Sequence, residues 1–154
     1  MLNELFAVWP DLLLQVLAAG VGTLCFAVLF CVPPKQYLAC ACVGAVAWLC
    51  YSLLLVVQPS TVVATLVATL PLTLLARVFS IVRKAPVTVF LLCGIFPLVP
   101  GAGIYYTAYY FIHGDTAAFA AKGAETLKIA GALAIGISLV LGIPFRSRKA
   151  NDPA

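Results

Sequence analysis

Charge is what this sequence has least of. Lys, Arg, Asp and Glu together make up 9% of its 154 residues, against 64% hydrophobic residues and a mean hydropathy of +1.14. Soluble domains carry about 25% charged and about 45–50% apolar residues, so a water-soluble globule is excluded. Histidine occurs once, at His113, where Gly114 and Asp115 make it read as a turn residue. No serine–histidine–carboxylate set, paired membrane carboxylates or phosphate-binding loop is present, so an enzymatic reading has no nucleophile or base to stand on. The six cysteines lie in or beside apolar segments, and Cys40-x-Cys42 has no second ligand pair. They read as small hydrophobes rather than a zinc site, and no metal or cofactor is expected. The net charge of +4 is not gathered on a basic face interleaved with aromatics, so nucleic acid is not a partner. Glu4 and Asp11 precede the first apolar run. A secretory signal begins with positive charge, so no cleavage is expected.

What is there is apolar length. A spanning helix needs about 20 predominantly apolar residues, and the runs at 12–32, 38–57, 61–81, 85–112 and 126–143 meet or approach that. The expected fold is an all-α polytopic membrane bundle, one integral domain over residues 1–154. Five passes are expected, or four if the fourth run only re-enters. Ser60 is placed to cap the third run. Lys35, Arg77, Arg83, Lys84, Arg146, Arg148 and Lys149 fall on one side of a five-pass chain. Positive charge marks the cytoplasmic side, which puts the N-terminus outside and the C-terminus in the cytoplasm. Ala18-x3-Gly22, Cys40-x3-Gly44 and Ala134, Ser138, Gly142 set small residues on helix faces, as close helix packing in lipid requires.

The fourth run is broken at 97–103, where Pro97, Pro100, Gly101 and Gly103 interrupt it. Residues 87–96 rise about 15 Å, half of a roughly 30 Å hydrocarbon core, so the break is expected near mid-membrane. Broken backbone at that depth is tolerated where protein or a water-filled cavity receives it, and discontinuous helices of this kind place transport sites. A half-helix starting near Gly101 offers its first amides, from Gly101 to Ile104, to an anion. Tyr105, Tyr106 and Thr107 add hydroxyls beside them. Pro71 interrupts the third run at its centre, with Thr65, Thr69 and Thr73 on one face. Those features line a pathway with a flexible gate, or they are a kink whose hydroxyls bond their own helix. Tyr109 and Tyr110 suit an interfacial belt. Asp115 is placed to cap a short interfacial helix through Phe119. Lys122, Glu125 and Lys128 are spaced for surface ion pairs. Asp115 and Glu125 are the candidates for ion coupling.

The segment Lys84-Ala85-Pro86-Val87-Thr88-Val89-Phe90 runs into Gly94-Ile95-Phe96-Pro97-Leu98-Val99-Pro100-Gly101-Ala102-Gly103-Ile104-Tyr105. Together with His113-Gly114-Asp115 and Lys122-Gly123-Ala124-Glu125-Thr126, it resembles the second membrane module of the threonine/serine exporter (ThrE) family. Val32-Pro33-Pro34-Lys35 and Gly44-Ala45-Val46-Ala47-Trp48 agree more weakly. The pattern departs at Cys31, a frequent asparagine, and at Cys93, a frequent proline. The resemblance implies secondary export of small amino acids or short dicarboxylates across the plasma membrane. It also implies a partner: a second membrane subunit like the first module of the family. The alternative expectation is a non-transporting membrane subunit that stabilises a partner.

Overall fold

The computed structural model describes residues 2–144, and every regular element among them is helical. In chain order these are α1 (Leu2–Leu29), a 3-10 turn (Pro34–Gln36), α2 (Tyr37–Val57), α3 (Thr61–Arg83), α4 (Val87–Gly94), a second 3-10 turn (Phe96–Leu98), α5 (Gly101–Ile112) and α6 (Thr116–Gly142). Four helices are long and apolar enough to cross a membrane, or five if α4 and α5, bent by 56° at the break, form one span. Arg146, Arg148 and Lys149 lie outside the described residues.

Three helices stop by the same device, in which an amide bonds the carbonyl five residues back across a left-handed residue. Val32 N–H reaches the Ala27 carbonyl (3.0 Å), Ala85 reaches Ser80 (3.1 Å) and Asp115 reaches Tyr110 (3.1 Å). The left-handed residues are Cys31 (φ 53°), Lys84 (φ 50°) and Gly114 (φ 74°). Glycine adopts that region without cost, whereas a residue with Cβ is strained there. Cys31 therefore occupies a helix-stop position, and the asparagine of the family pattern would suit it by the same backbone argument. Cys31→Asn is expected to stabilise the chain by about 0.5–1 kcal/mol, read as a raised melting temperature in detergent; an unchanged or lower value would reject the strain at this turn.

Two expected helix starts differ. Ser60 holds the N-cap position of α3, but its side chain makes no capping bond; Ala64 N–H bonds its carbonyl instead (3.0 Å). Asp115 does cap, accepting from Ala118 N–H at 2.9 Å. The helix it starts is not a short one ending at Phe119, however. It continues unbroken to Gly142, because Lys122-Gly123-Ala124-Glu125 contains no proline and the Lys122–Glu125 pair spans one turn of it.

α1 packs on α2, α2 on α3, α3 on α6 and α6 on α5, while α4 lies against α1, α2 and α3. The centre is built from Val43, Leu72 and Phe90 with Ala27, Ala39, Ala47, Ala68, Ala76, Cys40 and Cys93, all fully or nearly fully buried. Small residues let the helices approach closely where water supplies no hydrophobic drive. A Cβ on Gly44 would lie 1.9 Å from Thr23 Oγ1, one on Gly94 2.4 Å from Val43 Cγ1, and one on Gly136 2.8 Å from Thr69 Cβ. These contacts knit α1 to α2, α2 to α4 and α3 to α6. Cys40 and Gly44 thus pack as expected, but Gly22 faces open space. On α6 the packed face is Ala132, Gly136 and Val140, and Ala134, Ser138 and Gly142 point outward. This helix has small residues around its whole circumference, so spacing alone did not choose the face. Near its C-terminal end, Arg77 of α3 donates to the Val140 carbonyl, which also accepts from Ile143 N–H at 3.3 Å.

Candidate functional site

The break forms from three local events. Pro97 has no amide to continue α4, so Leu98 and Val99 fall back on the Ile95 carbonyl (2.9 and 3.2 Å) in a 3-10 turn. Pro100 then sits at φ −75°, ψ 58°, an inverse γ-turn closed by Gly101 N–H on the Val99 carbonyl at 2.7 Å. Finally α5 begins. The break opens beside Trp48, at the middle of α2, and reaches Thr65 on α3 and Thr126 on α6 by Gly101–Gly103.

Between these elements lies a cleft of about 260 Å³. Its walls are the Pro97–Gly103 backbone, Tyr51, Thr65, Thr126 and the pair Lys122–Glu125. Lys122 Nζ meets Glu125 Oε2 at 2.8 Å, with the two side chains 36% and 45% exposed. Gly101 and Ile104 amides are spent, on Val99 and on Pro100 (3.0 Å). The amides of Ala102 and Gly103 belong to the first turn, which has no internal acceptors, and no side chain caps them. The expected four-amide anion cradle is therefore reduced to two amides.

Gly101 and Gly103 differ in what surrounds them. A Cβ on Gly101 meets nothing within 4 Å, whereas one on Gly103 would stand 2.5 Å from Thr126 Oγ1. Gly101 is open to the cleft; Gly103 is where α5 crosses α6.

The other expected residues are not gathered here. Tyr105 and Tyr106 are 64% and 47% exposed on the outside of α5, where Tyr105 stacks on Tyr109, and Tyr109 on His113. Thr107 donates to the Gly103 carbonyl at 2.7 Å and faces a separate apolar groove of about 750 Å³ between α5 and α6. Thr69 and Thr73 are fully buried, and their hydroxyls bond the Thr65 and Thr69 carbonyls at 2.6 and 2.8 Å. Pro71 lies inside α3, which runs on without a break. The third run thus supplies Thr65 to the cleft and not a second broken helix. Asp115 is at the far tip of the α5–α6 hairpin as a cap, while Glu125 is in the cleft.

Lys122, Tyr51 and Thr126 were missed as site residues. The i, i+3 spacing of Lys122 and Glu125 on a helix running into the last apolar segment was the available signal for the first. Nothing in the sequence pointed to the others, since they reach the cleft only through packing.

The arrangement provides two opposite charges, two free amides and hydroxyls around a small volume, with no nucleophile–base pair. It suits reversible binding of a small polar solute. Comparison with curated proteins and with solved structures found no match. The family model for the threonine/serine exporter, ThrE, matches residues 15–143. With its apolar spans, the chain is a multi-pass membrane protein of an amino-acid export family: it belongs to the threonine/serine exporter ThrE family.

Proposed function

We propose that this chain is one membrane subunit of a secondary exporter for threonine- or serine-like amino acids or short dicarboxylates, working with a second membrane subunit. The observation that carries the transport reading is the half-open cleft at the helix break, where free amides, hydroxyls and a charge pair converge on the face of an apolar bundle. Of the two coupling candidates, the position of Glu125 supports it over Asp115, which is occupied as a helix cap. The partner is supported by α5, which has no buried residue, and by the apolar groove beside it. Membrane lipid covers the remaining outward faces.

We place the chain in the plasma membrane with its N-terminus outside and its C-terminus cytoplasmic. In support, Arg83 Nη1 reaches the Lys35 carbonyl at 3.4 Å, so these two cations share one end of the bundle.

A strain lacking the chain and loaded with L-threonine or succinate is expected to lose several-fold of its efflux of one of them, restored by the gene. Unchanged efflux of both would sink the transport reading. It would favour a non-transporting subunit that stabilises a partner, which the exposed α5 also fits. Purified chain alone in liposomes is expected to show no net efflux; transport there would remove the partner.

A further inference from the structure

Lys122 and Glu125 are the only charged side chains lining the cleft among the described residues. They touch through a single 2.8 Å contact between neighbouring turns of one helix, and both remain part-exposed. Part-exposed pairs of this kind are screened by water and contribute little to stability, so separating them costs little. The rest of the wall is sorted by hydrogen-bonding sense. Thr65 and Thr126 each donate their proton at 2.8 Å to a carbonyl of their own helix, Thr61 and Lys122. A hydroxyl whose proton is committed offers only lone pairs to a newcomer. The amides of Ala102 and Gly103, by contrast, are donors only. The cleft therefore holds donors, Lys122 and the two amides, and acceptors, Glu125 and the Thr126 oxygen, while Thr65 is only 1% exposed and lies beneath its wall.

We propose that the Lys122–Glu125 pair is a substrate-opened clamp, split by a zwitterion whose carboxylate takes Lys122 and whose ammonium takes Glu125. This rests on the reading of the same cleft as the export site. Exchanging one ion pair for two keeps every charge paired as the solute leaves water, the condition on which burying charge depends. The site gains no net charge from a zwitterion. A dicarboxylate meets one cation and is repelled by Glu125, which makes Glu125 the residue that selects against it. All the groups of the clamp lie on this chain, so the chain alone carries the binding.

The test uses the full chain in lipid nanodiscs with three probes: L-threonine, N-acetyl-L-threonine, which lacks the ammonium, and L-threoninamide, which lacks the carboxylate. The wild type is expected to bind L-threonine about ten-fold more tightly than either analogue, the scale of a lost hydrogen bond to a charged group. Glu125→Gln should abolish the preference over the N-acetyl compound, and Lys122→Met the preference over the amide. The swap of Lys122→Glu with Glu125→Lys rebuilds the pair with its poles reversed, while the amides and threonine oxygens stay in place. It should regain the wild-type melting temperature without regaining binding.

Three results would overturn the clamp: preferences that survive both neutral variants, a swap that binds like the wild type, or a wild type that does not prefer L-threonine. The export reading stands or falls separately, on efflux from the strain lacking the chain.

Discussion

Gly101→Leu is expected to lower efflux at least about ten-fold at unchanged membrane abundance, an effect equal to about 1.4 kcal/mol of lost site occupancy. The position tolerates the change structurally. A Cβ there meets nothing within 4 Å, the residue opens α5 as its first helical position, and the only glycine with positive φ among the described residues is Gly114. Leucine is also a better helix former than glycine. The isobutyl group instead takes up space in a cleft of about 260 Å³ and covers the neighbouring free amides. Gly101→Ala adds one carbon and should cost only part of the efflux.

Gly103→Leu is the informative contrast. Its Cβ would stand 2.5 Å from Thr126 Oγ1 and 3.3 Å from Thr126 Cβ, so it pushes α5 off α6 and should reduce the amount of folded protein. Efflux assays normalised to membrane abundance separate the two. A Gly101→Leu chain that exports as the wild type does would remove the cleft from the pathway.

Gly44→Leu should unfold the bundle at the α1–α2 contact. Its Cβ would meet Thr23 Oγ1 at 1.9 Å and Thr23 Cβ at 2.8 Å, and Thr23 is itself buried with its hydroxyl tied to the Ala19 carbonyl at 2.7 Å. Overpacking a tight core costs about 1–3 kcal/mol and at times more. Because the added carbons here meet atoms on another helix's buried face, the upper end is expected. The signature is a lowered melting temperature and a poor monodisperse yield in detergent.

Combining Gly44→Ala with Thr23→Ala tests the cause. The alanine at 44 then loses its closest clash, so the pair should be more stable than Gly44→Ala alone, a coupling expected only of touching residues. Additive effects would show that Gly44 matters for another reason.

Much of the bundle was legible from local information. The apolar runs, the prolines after them, the cap at Asp115 and the break at Pro97 and Pro100 depend on neighbouring residues and on the rule that lipid leaves no backbone polar group unpaired. What could not be read was which face met which. Small residues encircle α6, so Gly136 and not Ala134 or Ser138 came to lie under Thr69. The same limit applied to the third run. Thr65, Thr69 and Thr73 share one face by spacing alone; packing buries all three, Thr69 under Gly136 of α6, and of them only Thr65 borders the cleft.

By itself, the sequence determined that this chain is an all-helical membrane protein with its fourth run broken at Pro97 and Pro100, because hydropathy and proline act within one or two turns. The break is shorter than expected, since α5 already begins at Gly101. Only the tertiary structure decided what the opening faces. The 56° bend carries α5 away from α4 and onto α6, and this sets Lys122 and Glu125, distant in sequence from Thr65 and Tyr51, around the same small volume. Contacts between residues on separate helices follow from how the helices stack, and no spacing along one chain segment encodes that.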